Sequence, residues 1–477
     1  MTALATLFYL LGMLAFVLHR RGRLGGPAAT LAVGAAFLLG MGSKEIVATL
    51  PFACLLVDAC FFPERRRQTA RLAGVALAVG VALALLYLPG VPDFTARYPN
   101  RAFTPMERLL TEPRVLWHYL SLLTWPAPER LHLDYHVTLS RGPWSPPTTL
   151  PALAGLLALA FAAWRLRARQ PLAAFAVLFF LLASALEASF INLEIAFIHR
   201  IYLPSLFLFA GLLAALPQRA LARATVPLLL LAAVLALVTI ERNREWRDEN
   251  RLWAADLARG ASPFRAVMNR GAALIELGRA EEAARVMTQS LPLVHGGQRV
   301  QLELQIAGAW FAVEAFDRAR EQLERLRARV GDRPETLFQL AELELRDGHP
   351  GAAEALLPAL RASPYHRLHA RVLEALIAGQ RNGPDARVAA LLELRRELPF
   401  GLDSQLREMV DMHLADAYLE AGRYDDAYAV YLDATERRPD NYFAWRQLYR
   451  MQRSAGDDAN AERIARYLAE RGARVPD

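Results

Sequence analysis

The 477-residue chain has two cysteines, Cys54 and Cys60, and both lie in one apolar segment, so a disulfide-stapled scaffold is excluded. Lysine is almost absent: Lys44 stands alone, and every other cation among the 55 Lys+Arg is an arginine. That bias reflects a GC-rich genome rather than chemistry. There is no Gly-rich phosphate loop, no His-Glu-x-x-His helix and no nucleophile elbow. Charge is also scarce in one half. Residues 1–240 carry 20 Lys+Arg and 10 Asp+Glu, whereas residues 241–477 carry 35 and 38. A single soluble domain does not dilute its charges for half its length and then restore them. The chain therefore reads as a membrane half joined to a soluble half. An apolar content of 54% excludes disorder. The pI near 9.6 does not imply nucleic acid, because the arginines form short clusters between apolar runs rather than one basic face.

Apolar runs occur at 2–18, 27–42, 46–62, 72–90, 149–164, 171–187, 201–217 and 224–240. Each is slightly short of the ~20 residues of a spanning helix but within the usual range. The first does not read as a secretory signal, because its basic cluster, His19-Arg20-Arg21-Gly22-Arg23, follows the apolar run. Loops 19–26, 63–71, 165–170 and 217–224 hold three, four, three and two arginines. The short loops of opposite parity, 42–45 and 188–200, hold one cation each, Lys44 and Arg200. The positive-inside rule then puts the first set in the cytoplasm. It leaves the amino terminus, loop 91–148 and everything after 240 outside. Within that loop Pro113 is expected to open a short interfacial helix bearing Trp117, Tyr119 and Trp125, ended by Pro126.

The soluble half repeats. The stretch Leu414-Ala415-Asp416-Ala417-Tyr418-Leu419-Glu420-Ala421-Gly422-Arg423-Tyr424-Asp425-Asp426-Ala427 continues to Tyr431, Ala434 and Pro439. Small residues at 415, 427 and 434 let two helices approach, Gly422 opens the turn between them, and Pro439 ends the second. This resembles a tetratricopeptide repeat. Related turns fall at Gly278, Gly348 and Gly456, and the spacings of 70, 74 and 34 residues are near two, two and one units of ~34. A turn without glycine fits at Glu314-Ala315-Phe316. The expected architecture is all-α: a polytopic helical membrane domain of about eight spans over 1–240, a juxtamembrane linker at 241–262, and a solenoid of about six helical hairpins over 263–474. The concave face of such a solenoid binds a peptide or protein, or else the repeats brace the membrane half or pair with one another.

Charges beside an apolar membrane half are the natural candidates for chemistry. Lys44-Glu45 sits at the outer end of a span, and Glu187, Glu194, His199 and Arg200 lie in the short outer loop before Tyr202. Arg200 has the donor fork to clamp a lipid-linked phosphate, with His199, Tyr202 and Lys44 beside it. Glu187 or Glu194 would orient a sugar hydroxyl or accept its proton, with Glu45 and Asp134 as further candidates. The alternative for each is an interfacial charge reaching to water, Lys44 pairing with Glu45 or a neighbour. His132, Asp134 and His136 alternate, so an extended backbone would gather them as a divalent-metal set, or simply as a polar strand face.

Three segments together resemble a family. Gly42-Ser43-Lys44-Glu45 with Thr49, Pro51 and Asp58, the run Pro128-Glu129-Arg130-Leu131-His132-Leu133-Asp134-Tyr135, and Glu194 through His199-Arg200-Ile201-Tyr202-Leu203-Pro204-Ser205 are similar to motifs of the transmembrane-and-tetratricopeptide-repeat proteins. Those are GT-C glycosyltransferases related to the O-mannosyltransferases. The resemblance implies transfer of a sugar from a polyprenyl-phosphate donor to a protein or glycan acceptor outside a bacterial inner membrane. The repeats would then face the periplasm and dock the acceptor, with no part for nucleic acid. It also implies that the chain opens at a span like the family's fourth, without the acidic pair of the first external loop, which an upstream segment or partner would supply. Without it, the expected role is a membrane-anchored scaffold for periplasmic proteins.

Overall fold

The computed structural model describes residues 1–65, 67, 71, 74, 103–398 and 404–476. Every regular element among them is helical, and the chain divides into two compact units, Met1–Arg242 and Asn243–Asp477.

The amino-terminal unit opens with α1 (Thr2–Arg20) packed on α2 (Gly26–Met41). Glycines on both helices let the segment that follows approach closely. A Cβ on Gly12 would lie 2.7 Å from Leu50 Cδ2, and one on Gly40 would lie 2.8 Å from Val47 Cγ1, the small-residue device of helix packing in lipid. The run at 46–62 is not one helix. A 3-10 turn at Glu45–Thr49 leads into the shorter α3 (Leu50–Phe61), with Pro51 in its first turn where no intrahelical N–H is needed. There follow α4 (Pro105–Thr124), α5 (Thr149–Leu166), α6 (Pro171–Ala185), 3-10 turns at Ile198–Ile201 and Pro204–Phe207, α7 (Leu208–Ala215) and α8 (Gln218–Glu245).

Of these, α1, α5 and α8 are long and apolar enough to cross a membrane, whereas α2, α6 and Pro204–Ala215 are apolar but shorter. The described residues thus hold three clear candidate spans rather than eight. Proline accounts for part of the difference, because Pro51, Pro171 and Pro204 each start a new element inside or at the edge of an apolar run. The expected span at 72–90 lies outside the described residues, Gly74 apart.

The core is aromatic. Phe179 meets Phe207 edge-on at 4.9 Å and Tyr9 at 5.9 Å, and the Tyr9 hydroxyl hydrogen-bonds Thr49 Oγ1 at 3.0 Å. Arg20 donates through Nε and Nη2 to the two oxygens of buried Asp58, at 2.7 and 2.6 Å. In contrast α8 buries nothing and exposes Leu229, Leu230, Val234 and Leu237, an apolar surface that the rest of the unit leaves uncovered.

The carboxy-terminal unit begins inside the stretch expected as a linker. There α9 (Glu249–Ala258), N-capped by Asp248, packs on α10 (Pro263–Glu276). Six hairpins follow: α10 with α11 (Ala280–Ser290), α12 (Gly296–Ala312) with α13 (Phe316–Val330), α14 (Pro334–Arg346) with α15 (Pro350–Ala362), α16 (Arg367–Asn382) with α17 (Pro384–Glu397), α18 (Ser404–Glu420) with α19 (Tyr424–Arg437), and α20 (Tyr442–Ser454) with α21 (Asp458–Glu470). The turns inside them sit at Gly278, Glu314, Gly348, Gly383, Gly422 and Gly456, all at positive φ. Glu314, at φ 59°, does glycine's work in the turn expected to lack one.

The row of hairpins closes on itself. The Arg474 backbone N–H donates to Leu277 O at 2.8 Å. Arg446 donates to Glu276 O at 2.9 Å, and Arg438 pairs with the Glu276 carboxylate at 3.1 Å. Leu277 packs with Leu468 and Ala473 beneath these bonds. The first hairpin thereby joins the last, and the unit is a ring.

Candidate functional site

In the amino-terminal unit α4 supplies the organising group. Thr104 Oγ1 accepts from the Glu107 N–H at 3.2 Å and Glu107 Oε2 accepts from the Thr104 N–H at 2.8 Å. This capping box starts the helix at Pro105, not at Pro113, which lies inside it. The earlier start brings Arg108 and Glu112 onto a buried face.

Arg108 is wholly buried. It donates to the carbonyls of Glu187 (2.6 Å), Ser189 (2.8 Å), Leu193 (2.7 Å) and Glu194 (2.9 Å), and Nη2 lies 2.7 Å from Glu112 Oε1. One guanidinium thus ties down the irregular loop 187–194, whose carbonyls have no helix or sheet to serve them. Burial pushes the Glu112 carboxyl up to about 8, against the pull of Arg108 and Arg200.

Around this hub lie residues singled out in the sequence. Lys44 Nζ donates to Glu187 Oε1 at 2.6 Å, with both side chains largely buried, so its partner is Glu187 rather than Glu45. Glu187 Oε2 is buried and takes no hydrogen bond. Arg200 is buried, and its Nη1 donates to Glu194 O at 2.6 Å and Ile195 O at 3.3 Å. His199 stacks on Phe197 at 5.2 Å. Desolvation, then the charges of Lys44 and Arg200, hold its pKa below the usual histidine value. Lys44, Glu187, His199 and Arg200 therefore form one electrostatic cluster with Arg108 and Glu112.

The remaining candidates fall elsewhere. Glu194 enters the cluster through its carbonyl, shared by Arg108 and Arg200. Glu45 and Tyr202 are exposed, and Asp134 lies in the irregular segment 131–140. The metal set is not assembled: among the described residues no three His, Cys, Asp or Glu side chains are placed to hold an ion. The segment is irregular rather than a strand, so alternation does not align its side chains; His132 packs edge-on against Tyr135 while His136 is exposed. Arg108 and Glu112 were not evident in the sequence, although a capping box followed by an i,i+4 Arg–Glu pair is a signal that could have found them.

The carboxy-terminal ring encloses a cavity of about 1690 Å³. Its wall carries charges of both signs, Glu342, Arg387, His413 and Asp416 among them. His413 Nε2 lies 3.8 Å from Glu342 Oε1. Burial pushes Glu342 up to about 7 and His413 down to about 4, the latter helped by Arg387 and Arg346. Tyr431 holds Asp416 at 2.7 Å from outside the cavity wall.

Fold and site together define an all-helical protein in which helices of membrane-crossing length precede a ring of helical-hairpin repeats. No family model matches the chain, and no curated protein matches it. Among solved structures it is similar to a tetratricopeptide repeat protein from Parabacteroides merdae, at 16% identity, covering 47% of this chain and 86% of that one with a TM-score of 0.32. The repeat architecture rests on the hairpins and turns themselves.

Proposed function

We propose that this is a membrane protein that holds the headgroup of a polyprenyl-phosphate sugar at the Lys44–Glu187–Arg200 cluster and recruits a protein acceptor with its repeats, transferring the sugar outside a bacterial inner membrane. The observation that carries this reading is Glu187 Oε2, a buried carboxylate oxygen with no hydrogen bond in a cluster that holds Lys44 and Arg200. An oxygen so held accepts a hydroxyl, and a cation cluster in low dielectric suits a phosphate. In this mechanism Lys44 fixes Glu187 by its other oxygen. Glu187 then orients the acceptor hydroxyl or takes its proton, while Arg200 and His199 face the phosphate that leaves with the lipid. The motif resemblance around Lys44 and Arg200 supports the same assignment.

A second reading has its own observation. Arg108 and Arg200 spend donors on the chain's own carbonyls, which suits a structural cluster under a scaffold that only presents repeats to protein partners. Membranes bearing wild type or Glu187→Gln, given radiolabelled polyprenyl-phosphate mannose, separate the two. Label entering protein should fall by about 10² or more in the variant, the scale of lost acid–base catalysis, with the variant still eluting as one species. Labelling that equals wild type, or that matches membranes lacking the protein in both cases, leaves the scaffold reading.

A further inference from the structure

Ring closure places an unusual charge in the wall of the cavity. Arg446, on α20, is half-buried at the seam and donates to a neutral acceptor, the Glu276 carbonyl. The seam's carboxylates are engaged by other groups. Arg438 binds both Glu276 and Glu408, and Asn441 Nδ2 donates to Glu408 Oε1 at 2.6 Å. The charges that act on Arg446 are two more guanidiniums, Arg450 and Arg474. Arg446 and Arg474 both flank the Gly278 turn: a Cβ there would lie 3.3 Å from Arg446 Nη1 and 3.2 Å from Arg474 Cβ. Arg446, Arg450 and Arg474 all line the cavity.

We infer that this seam is an anion-binding site and that the repeat ring takes an acidic, extended segment of a protein partner, with a carboxylate seated on Arg446. The inference rests on the repeats being protein-binding and adds the chemistry of the partner. Two features point to a peptide. The cavity exceeds the roughly 300–1,000 Å³ of small-ligand pockets. Its mixed-sign wall, with Phe311, Phe316, Tyr442 and Phe443 among the lining residues, offers contacts along a chain and not only at one point. Burial, then the charges of Arg450 and Arg474, lowers the Arg446 pKa to about 10. A guanidinium in like-charged company is stabilised by an incoming carboxylate, through the paired N–H···O geometry that arginine offers. Because Arg446 also bonds α10, the same carboxylate would hold the ring shut.

The test uses the purified full chain in detergent and three fluorescent twelve-residue peptides, rich in Glu, Gln or Lys. The Glu peptide should bind saturably and weaken as salt rises, while the Gln and Lys peptides bind at least tenfold more weakly. Arg446→Gln should lower affinity for the Glu peptide at least tenfold and Arg446→Lys only a few-fold. Arg450→Gln, an exposed site outside the seam bonds, should lower it several-fold with helical content unchanged, which covers a folding defect in the first variant. Absence of Glu-peptide binding, or affinity unchanged in both glutamine variants, overturns the anion seam. If the Gln or Lys peptide binds as well as the Glu peptide, the seam fails while the protein-binding reading of the repeats stands.

Discussion

Replacing Arg108 by Met tests whether one buried guanidinium holds the loop that carries the candidate site. The side chain is fully buried and serves four carbonyls, of Glu187, Ser189, Leu193 and Glu194, besides the Glu112 carboxylate. Methionine fills much of the volume and removes every donor. Breaking a buried ion pair costs about 3–5 kcal/mol, and each buried acceptor left unpaired costs about 1–3 kcal/mol more. Two effects limit the total. Glu112, raised to about 8, is already mostly neutral at pH 7, so little ion-pair energy is lost, and a loosened loop lets water reach the carbonyls. A loss of about 4 kcal/mol at pH 7 is expected. Arg108→Lys should recover roughly half, because an ammonium keeps the charge with three donors in place of five. The assay is equilibrium unfolding of the detergent-solubilised chain in a denaturing surfactant, with hydrogen exchange of residues 188–194 as the local readout. A Met variant within about 1 kcal/mol of wild type, its loop amides still protected, would refute the reasoning.

Four other substitutions probe separate features. Glu342 has a folded pKa of about 7 against 4.5 unfolded, so its burial is harmless below about pH 4.5 and destabilising above about pH 7. Glu342→Gln should therefore gain on wild type across that window, by roughly 2–3 kcal/mol at pH 8 in urea titrations, and a difference that does not change with pH would contradict it. His413, lowered to about 4 from 6.5, acts oppositely, its contribution being lost as pH falls from about 6.5 to 4. His413→Gln should accordingly expose the Glu342 slope that it offsets in wild type. Gly278→Ala puts a Cβ at φ 78° and within 3.2 Å of Arg474 Cβ, and should cost about 1–2 kcal/mol in thermal unfolding, at least twice the cost of Gly297→Ala, which meets nothing. Asp58→Asn leaves buried Arg20 without its carboxylate and should lower stability by about 3 kcal/mol, with a neutral result placing the pair outside the fold's essential contacts.

What could be read from the sequence was what repeats locally. Gly278, Gly348, Gly422 and Gly456 announced turns because a positive φ is a demand on one residue, and Glu314 was found from the period alone. Gly383 is less legible, because Asn382-Gly383-Pro384 lies in none of the motifs that set the frame. Span lengths are misjudged where a proline sits inside an apolar run, since hydropathy ignores the helix start that Pro51 and Pro204 impose. Lys44, Glu187 and Arg200 were visible as costly charges, but not that Lys44 reaches Glu187. Only the capping box and the i,i+4 pairing with Glu112 point to Arg108 in the sequence, because its other partners are backbone carbonyls at 187–194 and backbone carbonyls have no sequence signature. The metal trio failed for the converse reason: regular spacing is geometry only in a regular backbone.

An open row of repeats is stable in proportion to its length, and its two ends fray or need capping residues of their own. Here the Arg474–Leu277 bond and the Leu277–Leu468–Ala473 contact give each end a partner. The first hairpin caps the last. Stability consequently ceases to be a sum over neighbours, since cutting either terminus uncovers both. A chain emerging in order must hold five hairpins without their final contact and completes its fold only when Leu468 through Arg474 arrive. Such a ring would unfold as one cooperative unit where a solenoid peels from an end.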